Sequence, residues 1–121
     1  MNVLFVCSRN RLRSPTAEAL FHGVGGLVCA SAGTALDAEE ALGQDHVDWA
    51  DLVVAMEQRH RKAIESKFPA LAKNSKIATL GIPDDFRFMD PALIELLWAR
   101  AGPLLGVARP REKPRSSRAP R

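Results

Sequence analysis

Apolar residues come in short blocks along this chain, each followed by a polar or amphipathic stretch. "NVLFV" (2–6) is an uninterrupted apolar run bounded by polar residues, the pattern of a strand buried on both faces. "TAEALFH" then reads as helix, with Ser14 as N-cap, Pro15 at the first helical position and Glu18 placed to close the amino end. "LVCA" (27–30), "LVVAM" (52–56) and "KIATLGI" (76–82) are three further strand-like runs, spaced widely enough for crossover connections. "EQRHRKAIESKF" predicts an amphipathic helix ending before Pro69. "ALIELLWARA" predicts another, started by Asp90 and Pro91 and stopped or bent at Gly102-Pro103, with Leu93, Ile94, Leu97, Trp98 and Ala101 on one face. Residues 35–48, Ala- and acid-rich, are compatible with a short helix but carry no strong caps. Strand and helix alternate, which predicts an α/β fold: a three-layer sandwich whose central four-stranded parallel sheet is covered by helices on both faces.

Charge changes the picture at one end only. The 121 residues carry 17 Lys and Arg against 14 Asp and Glu, but residues 109–121 hold six of the basic residues and one acid. That leaves 11 basic and 13 acidic residues in 1–108, so the basicity belongs to the tail and is no argument for a nucleic-acid-binding fold. We read 1–108 as one α/β domain. Residues 109–121, rich in Pro, Arg and Ser, lack apolar residues larger than Ala and are expected to be disordered, able at most to add weak, salt-sensitive contact with nucleic acid. No run approaches a membrane span or a secretory leader, and two cysteines make no disulfide framework or metal-ligand spacing, so a cytoplasmic setting is expected.

The candidate chemistry lies in "VCSRNRLRSP" (6–15), the polar stretch between the first strand and the first helix. Such a loop aims several backbone N–H groups at one point, and the helix dipole adds positive charge there. A thiol at Cys7, with Arg13 ahead of the helix, is favoured there as thiolate, the nucleophilic form. The same cradle suits a phosphoryl group, with the Arg13 fork gripping two oxygens. Charge placed there serves both the sulfur and its target.

"LFVCSRNRLRSPTAEALF" resembles the low-molecular-weight protein tyrosine phosphatases, whose signature is Cys-x5-Arg-Ser at the end of the first strand. "SAGT" (31–34), "WADLVVAME" (49–57) and "IPDDF" (82–86) resemble that family's second strand, third strand and acid loop, so the resemblance covers most of residues 1–105. It implies Cys7 as a nucleophile forming a phosphocysteine, Arg13 as the phosphate clamp, Ser14 as hydroxyl partner of the thiolate and Asn10 as a loop residue tolerating a left-handed backbone. Asp84 is the better match to the general acid, but Asp85 stands where the family has proline, which leaves both carboxylates as candidates for that role. Ser8, Arg9, Asn10, Arg11, Leu12 and Ser14 are implied to surround the bound phosphate, with Asp85 and Phe86 at its mouth. The resemblance implies no metal and no organic cofactor, and a phosphorylated substrate as partner.

The departures from the pattern bear on substrate. Leu12 replaces the family's second loop cysteine, Arg9 replaces the loop glycine, and Arg11 is an added charge, either a solvated one or a substrate contact. With no tyrosine in the chain, Phe86 is the one aromatic wall expected at the acid loop. The stretch between "SAGT" and the third strand is short for the family, which makes phosphotyrosine specificity the weakest inheritance and opens the mouth to nucleotide or RNA phosphates. Three readings follow: a cysteine-dependent phosphomonoester hydrolase, a phosphate- or RNA-end-binding module with little turnover, and an arsenate reductase, which requires Cys29 to reach Cys7. Cys29 itself reads as core, as do Trp49 and Trp98; His22, His46 and His60 read as solvated or helix-end residues.

Overall fold

The run that opens the chain sits in the middle of the sheet. In a computed structural model, which describes residues 1–74 and 76–110, β1 (Asn2–Cys7) pairs in parallel with β2 (Val28–Gly33) on one side and β3 (Leu52–Ala55) on the other, and β4 (Ile77–Thr79) pairs with β3. The order is β2-β1-β3-β4, and Val3, Leu4, Phe5 and Val6 are fully buried, as a strand covered on both faces must be. The predicted four-stranded parallel sheet is therefore present.

Alternate residues of β1 feed two cores. Val3 and Phe5 face α1 (Arg13–Phe21) and α5 (Pro91–Leu105), meeting Phe21, Leu93 and Leu97; Phe21 stacks on Phe5 with ring centroids 5.8 Å apart and touches Trp98 at 4.4 Å. Leu4 and Val6 face the other layer, built from α2 (Gln44–Trp49), α3 (Gln58–Lys67) and α4 (Pro69–Lys73), where they join Val47, Ile64 and Leu71. Among the described residues no helix is long and apolar enough to cross a membrane.

Several boundaries depart from the pattern-based reading. Helix α1 begins two residues early, with Leu12 at the N-cap, because the Ser14 hydroxyl is turned to Cys7 and Asn10 instead of capping; Glu18 accepts from the Ser31 hydroxyl at 2.6 Å rather than closing the helix start. Strand β2 extends to Gly33, three residues past the apolar run, since its last residues are sheltered by the loop beside it. The short helix within 35–48 is α2, whose N-terminus is closed by His46 Nδ1 accepting from the Gly43 amide. Helix α5 keeps Asp90 as its cap, accepting from the Ala92 amide at 2.9 Å, but runs through Pro103 to Leu105. An exposed proline in a last turn forgoes one backbone bond, and the helix stops instead at Gly106, whose φ of 70° favours glycine. Of the expected tail, Arg109 and Pro110 are described, Arg109 pairing with Glu95 at 2.6 Å, and 111–121 lie outside the described residues.

Candidate active site

The strand order fixes where a site can form. The chain leaves β1 toward β2 on one side and returns past it to β3 on the other, so the carboxyl ends of β1 and β3 flank the point where the connections diverge, the usual crevice of an open parallel sheet. Cys7 ends β1, and Glu57 follows β3 by two residues.

The loop from Ser8 to Leu12 is oriented by its carbonyls. Those of Cys7, Ser8 and Arg9 accept from the amides of Thr34, Ala35 and Glu39 at 2.9, 2.9 and 3.1 Å, and that of Leu12 accepts from the Thr16 amide and hydroxyl. Gly33 makes this close seating feasible: a Cβ there would lie 2.5 Å from the Ser8 carbonyl oxygen and 2.6 Å from Ala38 Cβ. Asn10 takes the left-handed backbone, φ 58°, that the turn requires. With the carbonyls drawn outward, the amides of Ser8 to Leu12 donate to no protein acceptor among the described residues. An arc of such N–H groups at the start of a helix is an anion cradle.

Cys7 Sγ lies 2.9 Å from Ser14 Oγ, which lies 2.9 Å from Asn10 Oδ1. A hydroxyl has one proton to give. With the thiol present it runs Cys7 to Ser14 to Asn10; with a thiolate, Ser14 turns its proton to sulfur and the Asn10 amide presents its NH2 to Ser14 instead. Ser14 is fully buried and Asn10 nearly so, which places both beneath the loop as supports rather than at its mouth.

Arg13 is 2% exposed. Its Nη1 donates to Glu57 Oε2 and, at 2.8 Å, to the Ile82 carbonyl, which pins one corner of the guanidinium and leaves the Nε and Nη2 edge for an oxyanion. Glu57 also accepts from Arg59 at 3.0 Å. Partial burial pushes the Glu57 carboxyl up, but hydrogen bonds from Arg13 and Arg59 outweigh it and hold the group below the usual carboxylate range. Asp84 is exposed, with Oδ1 3.7 Å from Arg13 Nε. Its loop is anchored on both sides, by Ile82 donating to the Met56 carbonyl and by Met89 donating to Thr16 Oγ1 at 3.0 Å.

His60 approaches from α3. Its Nδ1 accepts from the Glu57 amide at 3.1 Å, so in the neutral ring the proton sits on Nε2, which donates to Ser8 Oγ at 2.9 Å. Burial first, then the charges of Arg13 and Arg59, lower its pKa to about 4. The helix-end role expected of a histidine holds for His60 and His46; the solvated one does not hold for His60, which is 1% exposed.

The result is a cleft of about 350 Å³ lined by Cys7, Ser8, Arg9, Arg11, Leu12, Arg13, Arg59 and Asp84. Of the residues expected at the mouth, Asp85 does not line it, and Phe86 packs against the core below, on the side of Leu93 and Leu97. Both expectations are corrected: the acid loop turns Asp84 to the cleft and folds Phe86 inward, where its ring is partly buried. Glu57, Arg59 and His60 were not singled out by the motif. The position of Glu57 just past the third strand, across from the end of the first, is the signal that identifies that corner.

Cys29 pairs with Val3, four residues before Cys7 along the neighbouring strand, about 13 Å at strand spacing. It is buried, and desolvation and then the charge of Glu18 raise its pKa to about 11. A relay from Cys29 to Cys7, which arsenate reduction needs, is excluded by this register.

Solved structures with this architecture are numerous. YwlE arginine phosphatase from Geobacillus stearothermophilus superposes with a TM-score of 0.65 and 28% identity, over 87% of this chain and 92% of its own. A YwlE mutant from Bacillus subtilis gives 0.64 and 26% over 88% and 99%, and a low-molecular-weight phosphotyrosine phosphatase from Vibrio cholerae O395 gives 0.72 and 20% over 88% and 95%. This chain has the low-molecular-weight protein tyrosine phosphatase fold. The match spans nearly the whole length of those phosphatases. No protein-family model and no curated protein matches the sequence.

Proposed function

We propose that this chain is a cysteine-dependent phosphomonoester hydrolase. The observation that carries it is the run of amides from Ser8 to Leu12, between Cys7 and Arg13, that have no protein acceptor among the described residues, with Arg13 fixed by Glu57 and Ile82. Its neighbours support the chemistry: they are described as arginine and protein tyrosine phosphatases, and one is a YwlE mutant with a phosphorylated active-site serine in place of cysteine, at 25% identity.

The amides and the Arg13 edge bind the three non-bridging oxygens and bring phosphorus onto Cys7 Sγ. An S–P bond forms as the bond to the leaving oxygen breaks, and Asp84 gives that oxygen its proton. The Asp84 carboxylate then takes a proton from water; the water oxygen attacks phosphorus, the S–P bond breaks, and inorganic phosphate leaves with the sulfur restored. Ser14 steadies the sulfur in both halves through its single proton, and Glu57 keeps the arginine fork aimed throughout.

Hydrolysis of an aryl phosphate, inhibited competitively by inorganic phosphate and abolished in Cys7→Ser, is the expected result. Undiminished turnover in Cys7→Ser rejects the reading. Phosphate binding without turnover over a broad substrate panel selects the binding module instead.

A further inference from the structure

We infer that Arg9 and Arg11 select phosphomonoesters carrying a second anionic group beside the transferred phosphate, an inference that rests on the hydrolase reading above. Both arginines line the cleft, together with Arg13 and Arg59, and Asp84 is the one acid lining it among the described residues. The acids that pair with them stand behind. Asp37 holds Arg9 at 2.8 Å and Glu39 holds Arg11 at 3.4 Å, and neither carboxylate lines the cleft.

These pairs are of the exchangeable kind. Arg9 and Arg11 are 55% and 54% exposed and their partners 66% and 65%, the class of surface ion pair worth about 0–1 kcal/mol. The acids hold the forks over the cleft in the empty protein and are readily replaced by a substrate anion, for which an arginine fork makes stronger, charge-assisted bonds. The segment bearing them is seated on the same loop through Ala35 and Glu39, which bond the Ser8 and Arg9 carbonyls, so forks and cradle form one unit.

The apolar side of the argument points the same way. Among the described residues no aromatic ring lines the cleft; Phe86 packs into the core, and Leu12 is the one large apolar side chain that does. A bare aryl group gains little contact there, whereas a carboxylate or second phosphate on the leaving group meets two guanidinium forks. A cationic leaving group meets repulsion.

The test compares phenyl phosphate with 3-carboxyphenyl phosphate in the wild-type protein and in Arg9→Gln/Arg11→Gln. The kcat/KM ratio favouring the carboxylated substrate is expected to fall roughly tenfold in the double variant, and in the wild type to shrink as salt is raised. A ratio unchanged by both the substitutions and salt overturns the inference while leaving the hydrolase intact, and should the double variant not fold, the salt series on the wild type decides alone. If the wild type turns over neither of these nor any of a broad substrate panel, the hydrolase reading fails, and calorimetry with pyrophosphate against inorganic phosphate still tests the selection. Pyrophosphate binding more tightly than phosphate, by a margin that salt removes, supports it, and equal affinity at all salt concentrations contradicts it.

Discussion

The Nε2 of His60, on the third helix, lies 2.9 Å from the hydroxyl of Ser8, in the loop after the first strand. The contact joins two elements separated by 52 residues, at the point where both strand ends open to the cleft. The ring is held neutral by its other nitrogen: Nδ1 accepts from the Glu57 amide, which a protonated ring cannot do, and the single proton stays on Nε2 for Ser8.

That requirement makes stability depend on pH. Unfolded His60 takes up a proton near 6.5, whereas the folded ring does so near 4. Between these values the unfolded chain binds more protons, so lowering pH through this window destabilises the fold, by about 3 kcal/mol in all, with no contribution from His60 above it. Urea denaturation between pH 7 and pH 4 is expected to show this loss. His60→Asn, which has no titrating ring, should flatten the slope in that window.

Glu57 positions Arg13 without reaching the substrate. Glu57→Gln keeps a hydrogen bond to the guanidinium but removes the charge, and kcat/KM for an aryl phosphate is expected to fall about tenfold. Circular dichroism should show an unchanged fold. An unchanged kcat/KM would mean that Arg13 is held by the Ile82 carbonyl alone.

Gly33 is a packing constraint on the loop that follows β1. Its missing side chain leaves room for the Ser8 carbonyl, and the atoms a Cβ would meet, at 2.5 and 2.6 Å, belong to backbone and to Ala38 Cβ rather than to a flexible side-chain end. Gly33→Ala is expected to cost about 1–3 kcal/mol of stability. Activity should fall by more than the stability change explains, on the order of 100-fold, because the amide cradle moves relative to Cys7. Parallel urea titration and steady-state kinetics separate the two.

Asp84 and Asp85 differ in placement, and their variants should differ accordingly. Asp84→Asn is expected to lower kcat about 100-fold or more on substrates with poor leaving groups, and less in the first step on activated aryl phosphates, whose leaving oxygen needs no proton. Asp85→Asn, outside the cleft, should stay within a few-fold of wild type on both. Burst kinetics with activated and unactivated substrates distinguish the steps.

The sheet and the phosphate loop were legible because each is written locally. An apolar run that stays buried on both faces needs no context, and the Cys7 to Arg13 spacing sits between such a run and a helix signal. What the pattern missed depends on contacts across the fold. Ser14 looks like a cap until Cys7 and Asn10 compete for its hydroxyl. Phe86 looks like a cleft wall until the loop, tied down at Ile82 and Met89, turns it to the core. Glu57 only closes "WADLVVAME", a stretch that reads as strand, His60 lies in a helix pattern, and only the parallel pairing of β1 with β3 brings them to the loop.

The most direct measurement is mass analysis of Asp84→Asn quenched in acid during turnover of an activated aryl phosphate. Formation of the adduct then needs no proton donor, while its hydrolysis lacks its base, so the intermediate should accumulate. One phosphoryl group on the peptide containing Cys7, absent in the Cys7→Ala/Asp84→Asn double variant, is the predicted result. Continued release of the aryl alcohol with no phosphoryl group on that peptide, or with the group on another residue, contradicts Cys7 as the nucleophile.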